Sequence, residues 1–238
     1  MPGTNSRSQD PGIAIVTGAA SGLGAAVARM LAEKGWSVAG FDLRASATTS
    51  STIVDVTDAA AVAAAVAGVT ASLGRVDALV TVAGIYEVLP IDQITDERWN
   101  RMLAVNIEGT VNAIAAVLPG MTSRGIGSIV TISSDLGIGG SQGDAHYAAT
   151  KGAIVGLSRS LARELADSGI VVNSVAPGAA DTPMLAADSP WRDPAFLDTL
   201  PVRRLVTPDE IAAAVLFFLE AGSGFVGQLV SPNAGATI

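Results

Sequence analysis

A tyrosine and a lysine four residues apart, Tyr147 and Lys151, form a pair that could carry out chemistry. The residues that follow have the apolar spacing of an amphipathic helix, in which positions i and i+4 share one face. A phenol has a pKa of about 10, so lowering it to about 7 takes roughly 4 kcal/mol. One cation at about 4 Å, in an effective dielectric of about 20, supplies that energy. The pair predicts a proton-transfer device, with a solvated helix face as the alternative.

A second candidate site is the glycine-rich turn 17–24 (TGAASGLG), which lies between a short apolar run and a helical pattern. Glycines let a backbone approach a phosphate closely, and the N-terminus of the following helix favours its negative charge. The spacing Gly-x3-Gly-x-Gly differs from the commoner Gly-x-Gly-x-x-Gly, and alone it could be a tight turn. Its position after the first predicted strand favours dinucleotide binding.

An acidic residue at the end of the second predicted strand, Asp42, bears on the choice of dinucleotide. It follows Gly24 by eighteen residues, close to the separation of a carboxylate that binds a ribose 2′-hydroxyl. Such a carboxylate would repel a 2′-phosphate. Arg44 could soften the repulsion, but no basic residue lies within the turn 17–24 to assist it. The sequence therefore favours NAD over NADP, with an ordinary strand-end turn as the alternative for Asp42.

The elements that must position these residues follow a repeated pattern of helix, glycine and short β-branched run. Runs that are apolar throughout are typical of parallel strands buried on both faces. The pattern predicts an α/β fold: a single-domain, Rossmann-like, doubly wound parallel sheet of about seven strands with helices on both faces. The expected strands are 13–16, 36–41, 52–54, 76–82, 128–132, 170–175 and 226–230.

The chain is expected to form one domain over 12–238, preceded by a disordered polar tail over 1–11. Thr207 and Glu210 have the spacing of a capping box, with proline at the first helical position. The longest irregular segment, about 177–206, contains five prolines. A loop that long in a compact domain is commonly a functional lid, so we expect it to cover a substrate.

Composition narrows the class of protein. The 238-residue chain has a net charge of −8, which argues against nucleic acid or an anionic membrane as a partner. It has no cysteine and one histidine, so disulfides and cysteine- or histidine-rich metal sites are excluded and no metal is expected. The polar N-terminus lacks a signal peptide's apolar stretch, and no apolar run reaches transmembrane length. We expect a cytoplasmic protein.

With these motifs in this order, the chain resembles the short-chain dehydrogenase/reductase family over nearly its whole length. The turn 17–24 matches the cofactor motif of that family, and Tyr147-x-x-x-Lys151 matches its catalytic motif. The resemblance places a serine thirteen residues before the tyrosine, where Ser134 stands, and Asn106 matches the fourth catalytic position. It implies hydride transfer between a secondary alcohol and a ketone, with Tyr147 as the general acid or base.

The resemblance implies a role for each of these four residues. As a phenolate, Tyr147 would take the alcohol proton. Lys151 and the positive nicotinamide would lower its pKa, and Lys151 would also bind ribose hydroxyls. Ser134 would hydrogen-bond the substrate oxygen. Asn106 would bend its helix locally and hold a water that relays protons through Lys151. Structural alternatives remain, with Ser134 as a strand-end cap and Asn106 as a surface residue.

The resemblance also implies further contacts with the cofactor NAD and with a small alcohol or ketone. Asp55 and Val56 match the pair that contacts adenine, and 177–184 matches the segment that holds the nicotinamide carboxamide. The expected NAD contacts are Gly18, Ser21, Gly22, Leu23, Gly24, Asp42, Asp55, Val56, Ala83, Gly84, Tyr147, Lys151, Pro177, Gly178, Ala180, Thr182 and Met184. The expected substrate contacts are Ser134, Leu136 and Tyr147.

Other residues near the motifs could form the wall of a mainly apolar substrate pocket, although each could equally serve helix or loop packing. The candidates are Tyr86, Ile138, Met184, Leu185 and Trp191. His146 is next to Tyr147, and adjacent helical residues point about 100° apart. We therefore expect His146 to face away from the reacting centre.

Two segments depart from the pattern of the family. After the fourth strand the family usually has Asn-Asn-Ala-Gly, whereas this chain has Thr81-Val82-Ala83-Gly84. This change removes an amide that supports local hydrogen bonding and cofactor affinity. Near the C-terminus the usual acid-Gly-Gly ending is replaced by 231–235 (SPNAG), to which the sequence assigns no consequence.

Three classes of function stay open: an NAD-dependent alcohol/ketone oxidoreductase, a non-catalytic dinucleotide-binding sensor, and an epimerase or dehydratase that retains its cofactor. Within the first, a reductase of 3-oxoacyl groups on acyl carrier protein or coenzyme A is an alternative, although the acidic charge weighs mildly against an acidic partner. The resemblance further implies a homotetramer, or a homodimer, through the helices carrying Asn106 and Tyr147. The small residues that would permit close packing are Ala148, Ala149, Gly152 and Gly156.

Overall fold

Seven parallel strands form one sheet in the order β3-β2-β1-β4-β5-β6-β7. The structure is a computed structural model that describes residues 12–237, so the predicted tail over 1–11 lies outside it. The strand order reverses between β1 and β4, as in a doubly wound fold, and the predicted fold class is confirmed. The strands are β1 (Ile13–Thr17), β2 (Ser37–Asp42), β3 (Ser50–Ile53), β4 (Ala78–Thr81), β5 (Gly127–Ile132), β6 (Ile170–Val175) and β7 (Leu229–Val230).

Helices cover both faces of this sheet, which is why its central strands are apolar throughout. One core cluster packs Leu31 and Phe218 against the strands, and a second packs Val66 and Val117 on the opposite face. The helices are α1 (Gly22–Glu33), α2 (Ala59–Leu73), α3 (Asp96–Leu103), α4 (Gly109–Arg124), α5 (Leu136–Gly139), α6 (Ala145–Glu164), α7 (Pro194–Leu197) and α8 (Pro208–Glu220), with a π-helical turn, Ala104–Glu108, between α3 and α4.

The last strand is shorter than the sequence pattern predicts. Only Leu229–Val230 pairs with β6, rather than the whole of 226–230. Gly227 has φ +67°, a left-handed conformation through which an extended strand does not continue. Its N–H still donates to the carbonyl of Val172 at 2.8 Å, so the segment is held against the sheet before the strand begins.

The continuous helical segment Asp96–Arg124 contains an 18-residue window that is apolar enough to cross a membrane, judged by length and composition only. The expectation that no apolar run is long enough to span a membrane is therefore wrong, on length and composition alone. Buried residues of α4, including Ala113, Val117 and Met121, belong to the core cluster against the sheet. The apolar composition is that of a helix with one face packed on a buried sheet.

The predicted capping box begins α8. The Thr207 side chain accepts the N–H of Glu210 at 3.2 Å, and the Glu210 carboxylate accepts the N–H of Thr207 at 2.8 Å. Because α8 packs against α1, which follows the glycine-rich turn, this cap anchors the end of the irregular segment 177–206 beside that turn.

The two ends of 177–206 lie side by side. Ala180 and Val206 form an isolated parallel bridge, and the N–H of Val206 donates to the carbonyl of Ala179 at 3.0 Å. Between them lie a short 3₁₀ turn, Pro190–Arg192, and α7. The segment therefore leaves the carboxyl edge of the sheet and returns to the same place as a loop. An active-site lid has this arrangement.

Candidate active site

A cavity of about 760 Å³ lies at the carboxyl ends of the strands, where doubly wound sheets bind their ligands. Every expected cofactor contact lines it, as do the expected substrate contacts Ser134, Leu136 and Tyr147. Of the four predicted catalytic residues, Ser134, Tyr147 and Lys151 line the cavity, and Asn106 is buried behind it. The chain thus brings together residues that are up to 166 positions apart, from Gly18 to Met184.

The glycine-rich turn fits a phosphate because it leaves no room for side chains. Gly18 has φ +69°, and a Cβ there would lie 2.9 Å from the backbone nitrogen of Ala83. A Cβ at Gly24 would overlap the carbonyl oxygen of Gly18. The Ser21 side chain does not cap α1, and the first turn of α1 carries no acidic residue. Its first N–H groups therefore remain available to an anion.

Asp42 is held in place at the end of β2 by two backbone groups. Its Oδ2 accepts the N–H of Ala20 at 3.0 Å, and its Oδ1 accepts the N–H of Arg44 at 3.1 Å. The guanidinium of Arg44 extends over the turn and donates to the hydroxyl of Ser21 at 3.2 Å. The carboxylate keeps further lone pairs for ligand hydroxyls, while Arg44 places a cation at the same rim of the cavity.

Tyr147 and Lys151 project from the first turns of α6, and both are buried. The Nζ of Lys151 lies 5.7 Å from the centroid of the Tyr147 ring and donates to the carbonyl of Ile132 at 3.0 Å. Burial lowers the pKa of Lys151 to about 8. This ammonium can therefore release and regain a proton near neutral pH.

The pKa of Tyr147 differs from the sequence expectation. Burial raises the pKa of its phenol above the ordinary value, hydrogen bonding by Ser134 lowers it, and the charges of Asp135 and Asp144 raise it. Lys151 is not among the causes of this shift, since its ammonium donates to the Ile132 carbonyl and desolvation dominates. A lowering of the Tyr147 pKa by Lys151 together with a bound, positive nicotinamide stays a prediction. In this structure Tyr147 is accordingly a neutral phenol, the form that donates a proton.

Ser134 lies two residues beyond the end of β5 and is buried. Its hydroxyl donates to Oδ1 of Asp135 at 3.2 Å, reaches the carbonyl of Pro177 at 3.5 Å, and accepts the N–H of Leu136 at 3.2 Å. Asp135 is also buried and lines the cavity. Burial raises its pKa to about 6, so a carboxyl group that titrates near neutral pH lies beside the predicted catalytic serine.

Asn106 lies in the π-helical turn between α3 and α4, so the helix is locally distorted at this residue as expected. Its Oδ1 accepts the N–H of Ile85 at 2.8 Å, while its Nδ2 donates to the carbonyl of Ile85 at 3.0 Å and to the hydroxyl of Thr150 at 3.1 Å. The alternative of a surface residue is wrong. Asn106 fixes the loop after β4 to the helix that carries Tyr147.

An aromatic group forms one wall of the cavity. The ring of Tyr86 packs edge-on against that of Tyr147, with centroids 4.8 Å apart. The indole N–H of Trp191 donates to the hydroxyl of Tyr86 at 2.6 Å, and Trp191 also packs against Phe196. The predicted wall residues Tyr86, Met184, Leu185 and Trp191 line the cavity, whereas Ile138 does not and is half exposed.

The comparisons with known proteins agree with this geometry. The family model described as short chain dehydrogenase matches residues 12–193. The chain belongs to the short-chain dehydrogenase family. The members of this family are oxidoreductases that bind a nicotinamide dinucleotide and act on small molecules.

Three similar proteins illustrate the range of this family. The chain is 36% identical over 239 residues to cis-4-hydroxycyclohexanecarboxylate dehydrogenase of Sinomonas cyclohexanicum, covering 94% of this chain and 96% of that protein. It is 37% identical over 226 residues to acetoacetyl-CoA reductase of Synechocystis, covering 93% and 94%. The crystal structure of 3-ketoacyl-(acyl-carrier-protein) reductase from Brucella melitensis complexed with NADH superposes with a TM-score of 0.90 at 27% identity, covering 97% and 100%.

The first departure of this short-chain dehydrogenase from the pattern of the family is supported by a threonine on the neighbouring strand. The N–H groups of Val82 and Ala83 both donate to the hydroxyl of Thr17 at 3.0 Å. Thr81 is buried, and its own hydroxyl has no partner among the described residues. The loop that follows β4 is therefore held by β1, without the side-chain amide that the family usually supplies.

The second departure closes one end of the cavity. The Ser231 hydroxyl donates to the carbonyl of Ala176 at 2.6 Å, and the N–H of Gly178 donates to the carbonyl of Pro232 at 3.1 Å. The Nδ2 of Asn233 donates to the carbonyl of Thr237 at 2.7 Å. Asn233 and Thr237 line the cavity. The altered ending thus packs beneath the segment that begins at Pro177, a consequence that the sequence did not reveal.

His146 faces away from the cavity, as predicted from its helical position. It is buried and does not line the cavity. Its Nε2 lies 3.8 Å from a carboxylate oxygen of Glu87, and neither ring nitrogen has a hydrogen-bond partner within residues 12–237.

Sequence reasoning missed Asp135. The available signal was an acid directly after the predicted catalytic serine, at the end of an apolar strand where a charge is costly. Arg101, Asn233, Ala236 and Thr237 also line the cavity without having been predicted.

Replacing Asp135 by asparagine should stabilise the protein at neutral pH. The pKa of this carboxyl is raised from 3.8 to about 6 by burial, so the native state binds more protons than the unfolded state between those values. Native stability therefore falls as the pH rises through this window, and the full penalty is present above it. Urea unfolding should show Asp135→Asn to be more stable by about 2 kcal/mol at pH 7.5 and by much less at pH 4.

The exposed acid Asp198 offers a matched control for this measurement. Asp198→Asn should change the free energy of unfolding little at either pH. An advantage of Asp135→Asn that is the same at pH 4 and pH 7.5 would contradict the assignment of this penalty to the carboxyl.

Proposed function

We propose that this short-chain dehydrogenase interconverts a secondary alcohol and a ketone, with NAD as the hydride carrier and Tyr147 as the general acid or base. The observation that carries the proposal is the convergence of Ser134, Tyr147 and Lys151 on the cavity that the glycine-rich turn also lines. A sensor would need the turn but not the three polar side chains. A catalyst needs both.

The residues around the turn fit a dinucleotide. Gly18 and Gly24 lack the Cβ that would fill the cradle, and Asp42 holds a carboxylate at the rim. Asp55 and Val56 would contact the adenine, and Thr182 with its neighbours would hold the nicotinamide end. The proposed NAD contacts are the same residues that the sequence predicts as NAD contacts. When bound, the nicotinamide supplies or accepts the hydride at the substrate carbon.

In the reduction direction, Tyr147 donates its phenolic proton to the substrate oxygen as that oxygen gains negative charge. Ser134 donates a hydrogen bond to the same oxygen and stabilises the developing charge. Oxidation of the alcohol runs through the same positions in reverse, and Tyr147 then receives the proton.

Lys151 restores the proton to Tyr147 after each reduction. The pKa of Lys151, lowered by burial to about 8, suits a group that exchanges protons near neutral pH. Asn106 holds the loop after β4 beside Lys151: a Cβ on Gly84 would lie 3.1 Å from Oδ1 of Asn106 and 3.6 Å from the lysine Nζ. We propose that Asn106 positions this pathway rather than carrying the proton.

The segment 177–206 forms the substrate lid. Leu185, Trp191 and Phe196 of this segment line the cavity together with Leu136. The hydrogen bond from Trp191 to Tyr86 joins the lid to the ring that packs on Tyr147. A lid of this kind excludes water from the reacting centre.

The experiment that tests this function is a screen at 340 nm of secondary alcohols and ketones with NAD(H) and NADP(H) in parallel. Turnover of simple ketones with NADH supports the proposal. No turnover with either cofactor across a broad panel would favour the sensor. Stoichiometric cofactor in the purified protein without net NADH change would favour an epimerase or dehydratase.

The preference for NAD should depend on Asp42. We expect wild type to favour NADH over NADPH by at least about 10-fold in kcat/KM, because the carboxylate repels a 2′-phosphate. Asp42→Ala should raise kcat/KM for NADPH by about 10-fold or more, since Arg44 and Ser21 remain to bind the phosphate. Steady-state kinetics with both cofactors measures the ratio.

A double-mutant cycle controls this prediction. Arg44→Ala introduced into Asp42→Ala should remove the gain with NADPH, and Arg44→Ala alone should change the kinetics with NADH only modestly. A wild-type preference for NADPH would overturn the assignment of Asp42.

A second candidate is a reductase of 3-oxoacyl thioesters, favoured by the similarity to acetoacetyl-CoA reductase and to the reductase of 3-ketoacyl groups. The two candidates differ in the part of the substrate that is recognised. A kcat/KM for acetoacetyl-CoA at least about 100-fold above that for butan-2-one would favour the thioester.

We further propose a cytoplasmic homotetramer assembled through α4 and α6. Ala149 and Gly156 lie exposed on α6, and a Cβ on Gly156 would meet nothing within 4 Å. Light scattering during size-exclusion chromatography gives the mass of the assembly.

A further inference from the structure

The proton of Ser134 is already directed to a neighbour in this structure. A serine hydroxyl has one proton to donate, and that proton points to Oδ1 of Asp135 at 3.2 Å. The carbonyl of Pro177, at 3.5 Å, and the phenol oxygen of Tyr147 are further acceptors near this hydroxyl, while the N–H of Leu136 already donates to the serine oxygen. Ser134 can therefore donate to a ketone only after it gives up the bond to Asp135.

We propose that Asp135 is a specificity-determining residue that selects α-hydroxy ketones and vicinal diols. A hydroxyl on the carbon next to the reacting carbon would donate to the Asp135 carboxylate in place of Ser134. The proton of Ser134 would then turn to the reacting oxygen. A simple ketone brings no such donor, so it would leave Ser134 bound to Asp135. This inference rests on the proposed function of the same site.

The distances allow this exchange. The reacting oxygen and Oδ1 of Asp135 would both be hydrogen-bond partners of the serine oxygen, so they would lie about 4–5 Å apart. The two oxygens of a vicinal diol can span that gap, because the second needs only to come within about 3 Å of the carboxylate. Asp135 is buried and lines the cavity, so a donor that meets it escapes competition from bulk water.

The charged groups around Asp135 favour a neutral substrate group, such as a hydroxyl, over a substrate carboxylate. Asp144, which precedes α6, is buried and raises the pKa of Asp135 by its charge, and Tyr147 lies on the next turn. The ammonium of Lys151 is bound to the Ile132 carbonyl, and Tyr86 faces Tyr147 from the loop after β4. A substrate carboxylate at this position would meet two acidic side chains and would be repelled.

The reaction remains an ordinary two-electron reduction. Hydride adds to the ketone carbon, Tyr147 transfers its proton to the ketone oxygen, and the nicotinamide dinucleotide is oxidised. The neighbouring hydroxyl keeps its proton and changes only its hydrogen-bond partner. The product is a vicinal diol.

The test compares 3-hydroxybutan-2-one with butan-2-one, which differ by one hydroxyl, in NADH-dependent reduction at pH 7.5. We expect wild type to favour the hydroxy ketone by at least about 100-fold in kcat/KM, as in sites built to bind a hydroxyl. Asp135→Asn can donate its amide to the serine oxygen, which frees the serine proton. Its preference should fall below about 10-fold, chiefly because butan-2-one improves. Asp167→Asn changes an exposed acid outside both the cavity and the lid, and it should keep the wild-type ratio.

The pH dependence of the preference for the hydroxy ketone provides a second test, which can be measured on wild type. Protonated Asp135 is a weaker acceptor than the carboxylate and can itself donate to the serine oxygen, and burial brings its pKa to about 6. The wild-type preference for the hydroxy ketone should therefore fall as the pH drops from 7.5 to 5, and the ratio of Asp135→Asn should stay flat.

The outcomes separate this inference from the proposed function. Turnover of both ketones with equal efficiency, or a preference unchanged in Asp135→Asn and across pH, would overturn the role of Asp135 and leave the oxidoreductase intact. Absence of turnover for any ketone or alcohol in the wider panel would overturn the proposed function and this inference with it.

Discussion

Replacing Tyr147 by phenylalanine is expected to reduce kcat for ketone reduction by about 10³-fold, within the range for loss of a general acid. The substitution removes one oxygen and keeps the ring that packs against Tyr86. The phenol is buried beside Ser134, so no solvent proton donor replaces it readily. Because the change acts mainly on the transition state, kcat and kcat/KM should fall together.

Binding and folding measurements separate this effect from damage to the site. The affinity for NADH, followed by fluorescence, should change by no more than a few-fold. The midpoint of thermal unfolding should stay within a few degrees of wild type. A loss of turnover accompanied by a loss of NADH binding would point to disruption of the cavity instead.

Tyr86→Phe is the matched control, because Tyr86 presents the only other tyrosine hydroxyl of the chain to the same cavity. This variant leaves the indole N–H of Trp191 without its partner and should cost less than about 10-fold in kcat. Equal losses in the two variants would contradict the assignment of the proton to Tyr147.

Gly24→Ala should weaken NADH binding by at least about 100-fold, since a shift of about 1 Å in a binding loop can have an effect of that size. Gly24 lies in α1 with ordinary helical backbone, so alanine is compatible with its conformation. The obstacle is steric, because the new Cβ would overlap the carbonyl oxygen of Gly18. Either α1 or the turn must move, and overpacking of this kind costs about 1–3 kcal/mol of unfolding free energy. Calorimetric titration with NADH and urea unfolding measure the two effects.

Gly68→Ala is the matched control within another helix. Gly68 lies in α2, where an added Cβ meets nothing within 4 Å. Alanine there should stabilise the protein by up to about 1 kcal/mol through helix propensity and leave NADH binding unchanged. Wild-type affinity in Gly24→Ala would contradict the tight fit of the turn.

Most of the fold could be predicted from the sequence because strand burial has a local signature. The runs that became β1, β5 and β6 are rich in β-branched residues and are buried on both faces, and the capping box of Thr207 is a local pattern of four residues. The strand β7 was predicted too long. Its limit is set by the backbone angle of Gly227 at the sheet edge, which an apolar run does not encode.

Some features of the candidate site could likewise be predicted from local sequence, whereas others depended on the tertiary structure. The spacing of Tyr147 and Lys151 on one helix, the glycine-rich turn and the acid at position 42 are local features, so the sequence by itself indicated the family and, through it, many of the residues that line the cavity. The pKa values of the Tyr147 and Lys151 side chains, in contrast, were set by the tertiary structure. Desolvation is a property of the whole fold, and it raises the pKa of Tyr147 and lowers that of Lys151.

The tertiary structure alone buried Asp135 beside Ser134 and joined Trp191 to Tyr86, a contact between residues 105 positions apart. Hydrogen bonds between distant segments leave no periodic trace in a sequence, because they depend on how the strand ends and the lid meet in space. The sequence thus indicated which residues are candidates for proton transfer and for holding a dinucleotide. The tertiary structure showed that a further residue, Asp135, accepts a hydrogen bond from Ser134.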